Sequence, residues 1–199
     1  MSSIEIRVCG RYRLGEKIYK GKYSSIYIGK NVQSGQEVAI KCELKSTKTP
    51  LVVHEGTVLE SVQGGVGVPN LHWYGLDEDF NFLVTDLLGN TLEDYFNICK
   101  RTFSLKTILM IADHVLSNIE YLHYKGFVHR DIKPENFLMG LGKKLHQIYT
   151  IDYANATNYI DLNTKEHLPA RQVKSFYGTL RYASINTHKG IKNSRRDDL

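Results

Sequence analysis

The stretch "FVHRDIKPENFLMG", residues 127–140, decides the reading of this 199-residue chain. His129, Arg130 and Asp131 are consecutive, Lys133 lies two residues after Asp131, and Asn136 lies five after it. Such a set suits attack by a hydroxyl group on phosphorus. The Asp131 carboxylate can accept the hydroxyl proton, the Lys133 ammonium can stabilise the moving phosphoryl group, and the Asn136 amide oxygen can hold a metal ion.

Further motifs lie on either side. Upstream, "VAIK" ends at Lys41 in a predicted strand, and Glu55, fourteen residues on, lies in the next predicted helix. An ion pair with Glu55 would hold Lys41 against nucleotide phosphates. Downstream, "YTIDYANAT" places Asp152 at the end of a short apolar strand, 21 residues after Asp131, where it can hold magnesium between β- and γ-phosphates. Each motif alone is weak: V-A-I-K arises by chance, and an aspartate after a strand is usually a turn residue. The ordered set of Lys41, Glu55, Asp131, Lys133, Asn136 and Asp152 is far more specific. H-R-D with a downstream Asn, together with V-A-I-K, is the protein-kinase signature.

The first half reads as strands: "YRLGEKIYK", "SSIYIGKN" and "QEVAIKCEL", with a turn at Ser34-Gly35. A helix is expected over 51–61, then strands near 71–75 and 81–85 joined by an acidic turn at 77–79. Ser104 is a good N-cap for a helix in which Leu105, Ile108, Leu109, Ala112, Val115, Leu116, Ile119 and Leu122 recur at helical spacing, with Gly126 at its end. The expected organisation is α+β, with a strand-rich lobe over 1–88 and a helix-led lobe over 89–199.

Composition sets the wider frame. Hydrophobic residues make up 42% and charged residues 24%, ordinary values for a globular chain. No apolar run reaches the roughly 18 residues that span a membrane. "MSSIEIRVCGRYRLG" lacks the apolar centre of a secretory signal, so a cytoplasmic or nuclear setting is expected. Cys9, Cys42 and Cys99 are scattered, which argues against a disulfide framework. The net charge of +5 is dispersed, with no nucleic-acid arm. It reads either as a solvated basic face or as a site for acidic or phosphorylated partners.

Several phrases resemble the casein kinase I branch of the Ser/Thr protein kinases: "RYRLGEKI", "QGGVGVP", "LLGNTLEDYFN", "FSLKT", "IEYLH", "HRDIKPENFLMGLGKK" and "GTLRYASINTHKGIKNSRRDDL". "SIN" at 184–186 stands where most kinases have A-P-E, and Lys133 argues for Ser/Thr over tyrosine specificity. The resemblance implies a bilobal kinase fold with ATP held between lobes, magnesium, protein substrates and a monomer. It implies ATP contacts from the loop residues Ile18, Tyr19, Lys20, Gly21, Lys22, Tyr23, Ser24 and Ser25. Ile26 and Ala39 would form the ceiling over adenine, Leu138 the floor, and Leu88 a further contact. Thr85 would gate the pocket behind adenine; as pattern alone it is a strand-end threonine. Lys174 and Arg181 match positions linked to anion binding, which implies acidic or phosphorylated substrates.

Four departures from the family stand out. The loop reads Tyr19, Gly21, Ser24 in place of G-x-G-x-x-G, so only the middle glycine survives. Tyr19 should restrict the hairpin, lowering nucleotide affinity by roughly tenfold, about 1.4 kcal/mol. Lys20 and Lys22 would partly offset this. "DYA" at 152–154 replaces D-F-G, and a left-handed backbone at Ala154 would cost about 1–2 kcal/mol. Thr157 and Ile160 replace basic residues, which should weaken selection of primed substrates. Lastly, "SRRDDL" falls at the start of the helix that centres the second lobe in kinases, with Asp198 as that helix's anchoring aspartate. The later helices are then expected to be missing and the 105–122 helix to show apolar surface to water. An active Ser/Thr kinase is the leading reading, a pseudokinase scaffold the alternative, and a small-molecule phosphotransferase a distant third.

Overall fold

Alternating β-branched and aromatic residues build the first half into antiparallel strands. The computed structural model describes residues 6–21, 23–48 and 50–199. They divide into two compact units. The first holds the described residues up to Gln63 together with Pro69–Leu88; the second holds Gly64–Val68 and Gly89–Leu199.

In the first unit, β1 (Arg7–Val8), β2 (Tyr12–Lys20), β3 (Ser24–Asn31), β4 (Glu37–Leu44), β5 (Leu71–Asp77) and β6 (Phe80–Asp86) form one sheet in the order β1-β2-β3-β4-β6-β5. Helix α1 (Leu51–Ser61) lies between β4 and β5 in sequence. The expected Ser34-Gly35 turn is present. Gly35 takes φ +73°, and the Asn31 side chain accepts the N–H groups of Gln33 and Ser34. On one sheet face Val38, Ile40, Cys42, Phe82 and Val84 pack with Val8 and Tyr12 into the core. Successive side chains of a strand alternate faces, so Ala39, Lys41, Glu43, Leu83 and Thr85 share the opposite face.

The second unit contains α2 (Leu92–Ile98), α3 (Leu105–Tyr124), β7 (Phe127–Val128), β8 (Phe137–Met139), β9 (Ile148–Thr150), β10 (Thr157–Asn158) and α4 (Ile185–His188). Helix α2 is not among the elements expected from spacing, yet its start carries a reciprocal cap between Thr91 and Asp94. Ser104 caps α3 through the Thr107 N–H, and Gly126 follows its end at φ +87°. Only the C-terminal half of α3 is buried, at Asn118, Ile119, Leu122 and His123; Leu105, Ile108, Leu109, Met110 and Leu116 are exposed.

The stretch Gly64–Val68 belongs with α3 for a steric reason. A Cβ at Gly65 would fall 2.1 Å from the Tyr121 ring, and one at Gly67 would fall 2.1 Å from the Asn118 amide. Gly67 also accepts the Thr150 N–H at 2.8 Å. Only glycine lets this backbone approach the helix so closely.

Candidate active site

In the first unit the register assembles four of the expected residues on one sheet face. Ile26 is opposite Lys41, and Ala39 is opposite Thr85. Lys41 Nζ donates to Glu55 Oε2 at 2.6 Å, with the glutamate 4% exposed. Leu88 is half-buried just beyond β6. Thr85 is also half-buried, and its neighbour Asp86 is held firmly. Asp86 accepts the His72 Nε2–H at 2.8 Å and both the backbone and side-chain N–H groups of Asn70. Burial alone would raise the Asp86 carboxyl pKa, but His72 and Asn70 together hold it below its usual value.

The β2–β3 turn is open by comparison. Ile18, Tyr19, Lys20 and Tyr23 are exposed, whereas Ser24, Ser25 and Ile26 are half-buried. Lys22 lies outside the described residues. The turn closes through the Gly21 N–H donating to Ser24 O at 2.8 Å. Gly21 does not use the left-handed region. Its constraint is space: a Cβ there would meet Tyr19 Cε1 at 3.1 Å and Ser24 O at 3.2 Å. The tyrosine at the first glycine position therefore leans over the one glycine that remains.

In the second unit β7 and β10 pair, and β8 and β9 pair, bringing the ends of two short ladders together. His129 is wholly buried. Asp131 N–H donates to its Nδ1, and its Nε2–H donates to Ile151 O at 3.0 Å, which ties the segment of Asp131 to that of Asp152. The Asp198 carboxylate accepts the backbone N–H groups of His129 at 2.8 Å and Arg130 at 2.9 Å, and also the His123 Nε2–H. Arg130 sits at φ +70°, a left-handed conformation that Asp198 helps to fix. Its guanidinium lies 3.9 Å from the centre of the Tyr177 ring, and Nε donates to Asn155 O.

Asp131 is held from two sides. Lys133 Nζ donates to Oδ2 at 2.9 Å, and Thr179 Oγ1 donates to Oδ1 at 2.7 Å. Lys133 Nζ also reaches Thr179 Oγ1 at 3.1 Å, closing a three-membered network. Burial alone would lower the Lys133 pKa. The hydrogen-bonded Asp131 and the nearby carboxylates of Asp152 and Glu135 outweigh it and hold the pKa above its usual value. Asn136 Nδ2 donates to Asp131 O at 2.8 Å, leaving its Oδ1 as the atom available to a cation.

This donor set fits magnesium. The ion takes one or two protein oxygens and completes its shell with water and substrate phosphates. Asn136 contributes an oriented amide oxygen, and Asp152 a carboxylate close enough to raise the Lys133 pKa.

Asp152 corrects one expectation. The left-handed residue is Asp152 itself, at φ 64° and ψ 61°, not Ala154. Ala154 lies within the 3₁₀ turn Tyr153–Asn155, so no left-handed cost falls on it. The turn is tight enough that the strain sits one step earlier, on the metal-ligand candidate. Tyr153 is buried with its ring 5.5 Å from that of His129.

Leu138 lies in β8 opposite Tyr149. Lys174 and Arg181 are both exposed, and among the described residues no hydrogen bond or ion pair joins them. Arg181 instead lies over the Tyr182 ring at 5.6 Å. Thr179 was given no role by spacing, although it lies within the phrase "GTLRYAS"; it reaches Asp131 across 48 residues. The Arg130–Tyr177 stack likewise joins residues too far apart in the chain for spacing to signal.

A model of the protein kinase domain matches residues 12–192. That span covers β2 through Lys192, and with it Lys41, Glu55, Asp131, Lys133, Asn136 and Asp152. This chain belongs to the protein kinase family.

Proposed function

We propose that this protein is a Ser/Thr protein kinase of the casein kinase I branch. Family membership brings ATP, a divalent metal and protein substrates in general. The observation that carries the finer reading is the network of Asp131, Lys133 and Thr179. Lys133 and Thr179, with a longer contact from Asn136, fix the Asp131 carboxylate, which would take the proton of a substrate serine or threonine hydroxyl. Lys133, held cationic beside it, would counter the charge on the transferred group. Asn136 and Asp152 would hold magnesium. Lys41, fixed by Glu55, would anchor the nucleotide phosphates. ATP and magnesium supply the phosphoryl group and the charge neutralisation at its oxygens.

Acidic or already phosphorylated substrates suit the basic surface of the second unit. Lys174 and Arg181 are exposed there. Lys192 N–H donates to Arg171 O, which sets two more cations side by side. The Lys192 pKa is lowered by burial first and then by the charges of Arg171 and Arg130. Such crowding of like charge is relieved by an anion.

The β2–β3 turn favours a second reading, a pseudokinase that binds partners without turnover. Tyr19 occupies the space above Gly21, where backbone would approach phosphate. Measuring Mg-ATP binding and transfer to an acidic or phosphorylated peptide on the same preparation separates the two. Binding with transfer supports the kinase. Binding without transfer, or neither, moves the assignment to the scaffold.

A further inference from the structure

Strand β4 meets helix α1 through the Lys41–Glu55 pair and through a second carboxylate. That carboxylate is Glu43, two residues after Lys41 and directed to the same side of the strand. Glu43 is 2% exposed. Its Oε1 accepts the Val52 N–H at 3.1 Å and the Asn81 side-chain amide at 3.3 Å. Its Oε2 is buried without a hydrogen-bond partner among the described residues. A buried carboxylate with an orphaned oxygen is costly and persists where something else demands it.

The demand comes from α1. Its N-cap is Pro50, which offers no side-chain cap, and its first turn holds no acidic residue. The open N–H groups and the positive end of the helix dipole therefore depend on a carboxylate from another element. Val52 and Glu55, three residues apart, lie on one helix face. Lys41 and Glu43 are about 6.6 Å apart along their strand. The two spacings match in opposite directions: Glu43 holds Val52, and Lys41 holds Glu55.

We propose that Glu43 is a positioning residue for the phosphotransfer site, setting α1 against β4 so that Glu55 reaches Lys41. Its consequence for ATP rests on the proposed function; the tether itself is readable without nucleotide. The test compares Glu43→Ala with Glu43→Ala/Pro50→Asp. The added aspartate caps α1 from within the helix but restores no tie to the strand. Three quantities are measured on the full chain: the melting temperature, the rate of Lys41 acylation by an amine-reactive ester read by mass spectrometry, and the Mg-ATP Kd. Exposed Lys143 serves as the internal reference for labelling.

The double variant should regain the wild-type melting temperature yet label Lys41 several-fold faster. Its Mg-ATP affinity should remain about tenfold weaker, the scale of one lost charge-assisted contact. Glu43→Gln keeps an acceptor for the Val52 N–H and should label like the wild type. Wild-type Lys41 labelling in Glu43→Ala or in the double variant would overturn the proposal and leave Glu43 as a cap alone. Faster Lys41 labelling in Glu43→Ala and the double variant, with no Mg-ATP binding by the wild type, would overturn the proposed function while supporting the tether.

Discussion

The β2–β3 turn and the segment around Asp131 were both expected to serve the same nucleotide, and they differ in nearly every physical respect. The turn is largely exposed, has the Gly21–Ser24 backbone hydrogen bond, and carries the substitutions Tyr19 and Ser24. The Asp131 segment is buried and tied by its own His129 imidazole and Lys133 ammonium and by the distant Asp198 carboxylate and Thr179 hydroxyl. A substitution at an exposed turn changes a local shape. One in a buried network strands a polar partner at a cost of about 1–3 kcal/mol, more for a charge. The polar groups of the Asp131 network lie where replacement is expensive, and the substitutions in the β2–β3 turn lie where it is cheap.

The sharpest way to break this contrast is Asp131→Asn. It should reduce phosphotransfer by roughly 10²–10⁴-fold, the range for a positioned proton acceptor, and leave Mg-ATP affinity unchanged by calorimetry. Undiminished turnover would remove Asp131 from its role. Thr179→Val comes next. It deletes the hydrogen bond on Asp131 Oδ1, and a lost hydrogen bond to a charged group should lower kcat by about tenfold or somewhat more. Thr179→Ser should stay near wild type. A valine variant as fast as the wild type would mean that Lys133 and Asn136 hold the carboxylate without Thr179.

On the exposed side, Tyr19→Gly should tighten Mg-ATP binding by up to about tenfold with little change in melting temperature. Unchanged affinity would show that the ring over Gly21 does not hinder the nucleotide. The smallest effect belongs to Asp86. Its folded pKa lies below the unfolded value of about 3.9. The stabilisation is therefore present above the unfolded value and lost as pH falls through the folded one. Urea titrations should find Asp86→Asn less stable than wild type near neutrality, by under about 1 kcal/mol after solvent screening. The gap should close in strong acid. A gap that widens on acidification would reverse the assigned sign.

Much of the local structure was legible from residue pattern. The 51–61 helix, the Ser104 cap and the Gly126 stop depend on residues within a few positions of one another, and they form where spacing predicts. The α2 helix was overlooked even though its signal, Thr91 facing Asp94, is equally local. Lys41 and Glu55 are legible as a pair because a strand and the helix after it leave few ways to meet. Thr179 and Tyr177 carry no comparable signal, because each acquires its partner only when distant backbone is brought alongside; Glu43 lies nine residues from Val52, but its partner there is a backbone N–H that no residue pattern marks.

The sequence by itself determined which chemical groups are available and on which local elements they ride. Periodicity and caps act over one or two turns, and the H-R-D and V-A-I-K spacings are read directly. Only the tertiary structure decided which atoms are held and which are left open. It clamped Asp131 between Lys133 and Thr179, fixed the His129 and Arg130 backbone on the Asp198 carboxylate, and moved the left-handed strain from Ala154 to Asp152. Those outcomes depend on burial and long-range hydrogen bonding, which arise when segments far apart in the chain must satisfy one another's polar groups away from water.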